Sequence, residues 1–487
     1  MQGAEARSPP TARPLYASHV SDAPTVLIMA AGEGTRMRSS VPKALHPVCG
    51  RPMVAWPALA AHEAGAGTVA VIVSPDRDLS PGLPNGTQIV IQPEADGTGG
   101  AVRAALDLVR EAETVVVIPG DHPLVSAELV GELVDAHRAA DAAATVMTLE
   151  LDDAGSYGRI VRDASGDVER IVETKHPESV PPEVLAIREI STSTFAFAAE
   201  PLAGALERIT NDNEAGEYYL GDVLPLLRGD NLHVAAHRAT DPVANLGVNT
   251  RADLALATTE ARRRILHRHM LAGVTLIDPD STWIDADVEL GADVTLEPGT
   301  TLKGRSSVGT GSTVGPHSTL IDARLGENVT VPHSYLVECE VGDGSQVGPF
   351  AYLRPGTRLA TGAKAGSFVE LKNSEIGEGA KVPHLAYVGD AEVGAGSNLG
   401  AGSITANYDG FHKNRTKIGE RARIGVNNSL VAPVSVGDDA YTGAGAVIRK
   451  DVPDGALGVT KGEQRNIEGY AERKAAEQRT EPDGDDD

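Results

Sequence analysis

At 487 residues the chain exceeds what one hydrophobic core usually serves, so at least two domains are expected, and a 41% hydrophobic content can furnish a core for each. Its 68 acidic against 43 basic residues leave a formal charge of −25, which argues against nucleic-acid binding and anionic membranes while local basic pockets can still take small anions. Two cysteines, Cys49 and Cys339, are too few for a disulfide framework or a cysteine metal site, and no apolar run reaches 18 residues, so a cytoplasmic protein without membrane insertion is expected.

Residues 1–22 carry Pro9, Pro10 and Pro14 with scattered charges and read as a disordered tail. From 23 to 250, short β-branched runs (Thr25 to Met29, Val69 to Val73, Ile89 to Ile91, Val115 to Ile118) alternate with Ala- and Leu-rich stretches, which predicts a Rossmann-like α/β domain on a mainly parallel sheet. Arg251 to Met270 lacks Gly and Pro and is rich in helix formers, so 251–273 is expected to be a linker helix.

A period of six begins after Gly273. Ile284, Leu290, Leu296, Leu302, Val308, Val314 and Leu320 recur at that spacing, and the pattern restarts at Leu325, Val331, Val337, then at Val341, Val347, Leu353, Leu359, and again at Ile418, Ile424, Leu430, Val436. With roughly a quarter of residues aliphatic, seven successive hits arise by chance about once in ten thousand. Such a hexapeptide repeat predicts a left-handed parallel β-helix over 274–465, three short strands per coil with the aliphatic residue inward and Gly at tight corners. Between Ile404 and Ile418 the spacing is fourteen rather than twelve, so TANYDGFHKNRTK must loop out, and such loops often carry function. Residues 466–487 read as an acidic tail.

The first strand runs directly into Ala30-Ala31-Gly32-Glu33-Gly34-Thr35-Arg36-Met37, followed by Pro42-Lys43. Glycines after a first strand let backbone N–H groups approach a phosphate or base, and Arg36 and Lys43 can neutralise a triphosphate. Gln92 with Gly97-Thr98-Gly99, Gly120-Asp121 at a strand end, Tyr157-Gly158-Arg159-Ile160, Glu173-Thr174-Lys175, Gly216-Glu217-Tyr218-Tyr219 and Gly247-Val248-Asn249 follow in order. In the repeat region stand Arg354-Pro355-Gly356, Glu370-Leu371-Lys372, His384-Leu385-Ala386-Tyr387-Val388-Gly389-Asp390, Asn398 and Asn407-Tyr408-Asp409-Gly410.

Together these motifs resemble the bifunctional N-acetylglucosamine-1-phosphate uridylyltransferase and glucosamine-1-phosphate N-acetyltransferase family over roughly Thr25 to Tyr470. The resemblance implies acetyl-CoA-dependent N-acetylation of glucosamine 1-phosphate and then UTP-dependent uridylyl transfer to N-acetylglucosamine 1-phosphate, with Mg²⁺ as cofactor and a homotrimer as the assembly. It implies that Arg36 and Lys43 act on the phosphates, that Asp121 and Asn249 hold Mg²⁺, and that Ala30, Ala31, Gly32, Gln92, Gly97, Thr98, Gly120, Gly158, Glu173 and Ser191 line the nucleotide and sugar site. His384 would be the base, since acetyl transfer to an amine needs a proton acceptor of suitable pKa. Arg354 and Lys372 would hold the sugar phosphate and Tyr387, Asn398, Asn407 and Tyr408 would lie near substrate, with Ala401, Val426, Ala444 and Lys461 along coenzyme A.

Several matched positions depart from the family pattern. Ser191 replaces an Asn that contacts the sugar, Ser193 a Gly, Gly100 a His, Val426 a Ser and Lys461 an Arg, and Pro119 precedes Gly120 where other residues are common. A hydroxyl cannot reproduce both hydrogen bonds of an amide, so altered sugar binding in the first site is expected while the charged candidates persist. Two competing expectations are a nucleotidylyltransferase of other specificity with a non-catalytic β-helix, and a diverged non-catalytic paralogue.

Overall fold

A computed structural model describes residues 22–480 apart from 175, 176, 214, 246, 461 and 463. Most of the 1–22 tail, Lys175, Lys461 and the end of the acidic tail therefore lie outside the described residues. Two compact units are present: one runs to His267 and includes Asp285–Asp287, and the other comprises Arg268–Ile284 and continues from Val288.

In the first unit the sheet order is Val234–Arg238, Ala144–Glu150, Glu189–Ala198, Thr114–Pro119, Thr25–Met29, Thr68–Val73, Gln88–Ile91. Thr25–Met29 is central and parallel to both neighbours, and Glu189–Ala198 is antiparallel to the strands beside it, so the sheet is mixed. The central strands are almost entirely buried, which is why Val-Leu-Ile and Val-Val-Val-Ile appear as continuous apolar runs rather than alternating ones. Apolar cores form on both faces, one around Leu27, Ile72, Val117 and Phe197, the other around Ile28, Val71, Val116 and Leu133. Buried Cys49 is pushed up to about 12 by burial, so its thiol is inert. Arg251–Leu271 is helical.

The second unit is a left-handed β-helix whose three parallel sheets contain eleven, ten and nine strands. Register shows the repeat directly: Thr295 pairs with Thr313 and Thr301 with Thr319, a step of 18 residues, or three hexapeptides. Leu296, Leu302, Val308, Val314 and Leu320 point inward and are buried, whereas Leu290 is partly exposed. Two expected inward positions are corrected. Leu336 rather than Val337 is buried, because the step from Val331 shortens to five, and Thr405 rather than Ile404 faces inward, leaving Ile404 46% exposed. A hydroxyl is tolerated there because Thr405 Oγ1 accepts from Gly389 N (2.7 Å) and donates to Gly389 O (2.9 Å). Across this coil Asn398 pairs with Arg423, a step of 25, so seven residues beyond 18 form the loop. Past the coils, Tyr470–Thr480 forms a helix inside the stretch expected to be a tail, where Ala, Glu, Lys and Arg favour it. Among the described residues no helix is long and apolar enough to cross a membrane.

Candidate active sites

In the first unit the chain leaves the central strand at Met29 and turns through residues 30–36 along the sheet's C-terminal edge, where α/β sites gather. Ala30 N donates to Ile72 O (2.8 Å) and Gly120 N to Met29 O (2.8 Å), fixing the two segments side by side. A cavity of about 700 Å³ opens here, lined by Ala30, Ala31, Gly32, Arg36, Lys43, Gln92, Gly97, Thr98, Gly120, Asp121 and Asn249 among others. Lys43 Nζ is the hub: it donates to Asp121 Oδ2 (2.5 Å) and to Asn249 Oδ1 (2.9 Å), and Arg36 Nη2 donates to the same Asn249 oxygen (2.8 Å). Gly34 permits this approach, because at φ 67° a Cβ on it would lie 2.5 Å from that of Lys43.

Electrostatics keep the carboxylate charged. Burial works against the charge on Asp121, but Lys43, through its charge and its hydrogen bond, holds the carboxyl below its ordinary range. The same burial, with Lys43, keeps the His122 imidazole low and therefore neutral. Asn249 is held from behind: Asp253 Oδ2 accepts from Asn249 N (3.0 Å) and Thr250 N (2.8 Å), while Thr250 Oγ1 accepts from Asp253 N (3.2 Å). This reciprocal capping box at the start of Arg251–Leu271 was visible as T-x-x-D in the sequence but was not read as part of a site.

Three expected residues, Gly158, Glu173 and Ser191, are not among those that line the cavity, whereas Tyr157, Thr192 and Ser193 are. Ser191 is 4% exposed and its Oγ accepts from Ser193 N (3.1 Å), inside a bulge that interrupts pairing between Ser191 and Phe195. Ser193 sits at φ 58°, in the left-handed region that favours the Gly it replaces. Ser191's hydroxyl is thus committed to the bulge.

In the second unit the expected residues gather on neighbouring coils. Glu370 pairs with Tyr387 and Lys372 with Gly389, and Arg354 N donates to Leu371 O (2.9 Å), so Arg354 and Lys372 lie on adjacent rungs. Asp390, 5% exposed, is the centre: it accepts from Lys372 Nζ (3.1 Å), Asn373 Nδ2 (2.8 Å) and Asn407 Nδ2 (2.6 Å). Asn407 Nδ2 also reaches the Tyr387 hydroxyl (3.4 Å). Burial opposes the Asp390 charge, but Asn373, Lys372 and Asn407 prevail and lower its pKa.

The loop after Ala406 is a small hairpin: Tyr408 bridges Lys413, Asn414 N donates to Asn407 O (2.8 Å), and Asp409 caps it by accepting from Phe411 N and His412 N. It brings Lys413 against Lys372, whose proximity lowers the Lys413 pKa, so a third cation joins Arg354 and Lys372. Lys413 was missed, although its loop was legible from spacing.

His384 ends the strand Lys381–His384 and is exposed, and among the described residues its ring makes no hydrogen bond. Lys381 pairs with Asn398, Asn398 with Arg423 and Arg423 with Tyr441. Counting three residues on from each of these places Ala401, Val426 and Ala444 in one column that begins beside His384. Val426 is 46% exposed.

Residues 26–218 match the MobA-like NTP transferase domain family. Over nearly the whole chain the sequence is 48% identical across 452 residues to the "Bifunctional protein GlmU" of Kineococcus radiotolerans, covering 91% of each chain. The chain belongs to the bifunctional GlmU family. Proteins of the same name in Streptomyces avermitilis (47% identity, 92% of this chain and 94% of that one) and Mycobacterium tuberculosis (44%, 92% of each) agree. The chain is accordingly a transferase with uridylyltransferase and N-acetyltransferase functions in UDP-N-acetylglucosamine and cell-wall synthesis, acting on small molecules. Family nucleotidyltransferases generally use a divalent metal.

Proposed function

We propose that the first unit's cavity performs the uridylyl transfer and the second unit's Lys372–Asp390–Asn407 cluster, with His384, the acetyl transfer. The observation that carries the first assignment is the convergence of Asp121 Oδ2 and Asn249 Oδ1 on one cationic atom, Lys43 Nζ. Two hard oxygens around a cation suit Mg²⁺, which takes few protein ligands and completes its shell with water and phosphate. Asp121 and Asn249 would hold Mg²⁺, which would offset triphosphate charge. Lys43 and Arg36 supply positive charge to the α-phosphate of UTP and the departing pyrophosphate. A phosphate oxygen of N-acetylglucosamine 1-phosphate attacks the α-phosphorus, the new P–O bond forms, and the bond from the α-phosphorus to the α,β-bridging oxygen breaks, that oxygen leaving with pyrophosphate.

In the second site Arg354, Lys372 and Lys413 receive the phosphate of glucosamine 1-phosphate, and Tyr387 and Asn407 lie beside the sugar, with Asn398 and Tyr408 near substrate. The amine attacks the thioester carbonyl of acetyl-CoA, its proton passes to His384, the C–N bond forms and the C–S bond breaks to release coenzyme A. Ala401 and Ala444 leave room for the coenzyme, and Val426 offers it an apolar surface only. The assembly is a homotrimer built through the β-helix, supported by an apolar edge where the Phe350 and Phe368 rings stack at 5.2 Å while 55% and 59% exposed.

The purified chain should release coenzyme A thiol from acetyl-CoA with glucosamine 1-phosphate, and pyrophosphate from UTP with N-acetylglucosamine 1-phosphate and Mg²⁺. Absence of either product removes that half of the reading, and a sedimentation mass other than three chains removes the trimer.

A further inference from the structure

Gly100 and Asp96 share one space. A Cβ on Gly100 would lie 1.8 Å from Asp96 Oδ1, so the carboxylate occupies the volume that any side chain at 100 would need. From there Asp96 Oδ1 accepts from Gln92 Nε2 (2.8 Å), and Gly97 O accepts from the same nitrogen (3.1 Å). Arg103 Nη2 donates to the second oxygen, Asp96 Oδ2 (2.9 Å), and its guanidinium lies 4.1 Å over the Tyr218 ring. Tyr218 N in turn donates to Asp96 O (2.7 Å). Gln92 is 4% exposed, lines the cavity, and has both amide protons directed at acceptors. Its orientation is therefore determined: Nε2 faces Asp96 and Gly97, and Oε1 is the end left for a ligand, since among the described residues it has no donor.

We infer that Asp96 is a positioning residue that selects the base, by locking Gln92 so that an acceptor faces the nucleobase. This rests on the reading that Gln92 contacts the base. Uracil presents an N3–H donor that Oε1 accepts. Cytosine presents an unprotonated N3, and acceptor would face acceptor. A site with a fixed hydrogen-bonding sense rejects the mismatched ligand more strongly than one whose amide can rotate.

The test is the ratio of kcat/KM for UTP to that for CTP, because a ratio cancels the fraction of folded enzyme. Asp96→Ala leaves only Gly97 O holding Gln92 Nε2, the weakened lock lets the amide turn its donor to cytosine, and the ratio falls about ten-fold, chiefly through KM. Gly100→Ala expels the same carboxylate and gives the same fall. The double variant falls no further, because both changes remove one interaction. Asp96→Asn, which retains an acceptor oxygen, recovers part of the ratio. An unchanged ratio in Asp96→Ala, or losses that add in the double variant, overturns the inference. Gln92→Ala separates the two claims: if it leaves the ratio unchanged, the reading of Gln92 fails, and if it lowers the ratio while Asp96→Ala does not, only the positioning by Asp96 fails.

Discussion

Replacing Asp390 by Asn keeps the shape of the side chain but removes its charge and one acceptor from three donors, Lys372, Asn373 and Asn407. Hydrogen bonds to a charged group contribute about 1.5–3 kcal/mol against about 1 for neutral pairs, so three of them lose about 2 kcal/mol after the partial exposure of Lys372 (17%) is discounted. At 1.36 kcal/mol per factor of ten, that corresponds to about 30-fold in kcat/KM for acetyl transfer. The assay is thiol release with glucosamine 1-phosphate varied, beside pyrophosphate release as the control. The loss should appear in KM for the sugar phosphate, because Lys372 is the group released, and uridylyl transfer should hold. Asp390's carboxyl is lowered by folding, so its stabilisation is complete above the ordinary carboxylate pKa near 4 and is lost as pH falls through the lower folded value. Melting temperatures of wild type and Asp390→Asn should converge in that acid range. An unchanged KM, with a stability gap that persists in acid, would refute the reasoning.

Gly34→Ala forces a positive-φ position and sets a methyl 2.5 Å from Lys43 Cβ; pyrophosphate release should fall by about 10²-fold while thiol release is unchanged. Asp253→Ala breaks the capping box behind Asn249, which should cost about 1 kcal/mol of stability and raise the Mg²⁺ concentration needed for half-maximal uridylyl transfer; an unaltered Mg²⁺ titration would detach Asp253 from the metal site. Thr405→Val keeps the volume but leaves Gly389 N and O without their shared hydroxyl, a destabilisation of about 1–3 kcal/mol readable by thermal or chemical denaturation.

The β-helix was legible because one inward aliphatic residue per six is a local pattern, and it failed where locality failed. At Val337 a shortened step shifted the phase by one residue, and at Thr405 an internally bonded hydroxyl took an aliphatic place. Lys43 and Asp121, quoted from two separate motifs, meet in one cavity in the structure. Asp390 stood inside a recognised motif, yet its role as a hub depends on partners 17 and 18 residues away, one coil in each direction. Asp96 belongs to none of the motifs, and its place beside Gly100 depends on three-dimensional contact. Ser191 and Ser193 appeared as two independent departures, but one bulge joins them, with the first hydroxyl supporting the strained backbone of the second.

The central claim is that two separate sites carry two consecutive reactions. The direct measurement supplies glucosamine 1-phosphate, acetyl-CoA, UTP and Mg²⁺ together and identifies products by mass in wild type, Asp121→Ala and His384→Ala. Wild type should yield UDP-N-acetylglucosamine, and Asp121→Ala should accumulate N-acetylglucosamine 1-phosphate. His384→Ala should leave glucosamine 1-phosphate unacetylated yet still couple supplied N-acetylglucosamine 1-phosphate to UTP. Normal acetylation by His384→Ala, or undiminished nucleotide-sugar formation by Asp121→Ala, would contradict it.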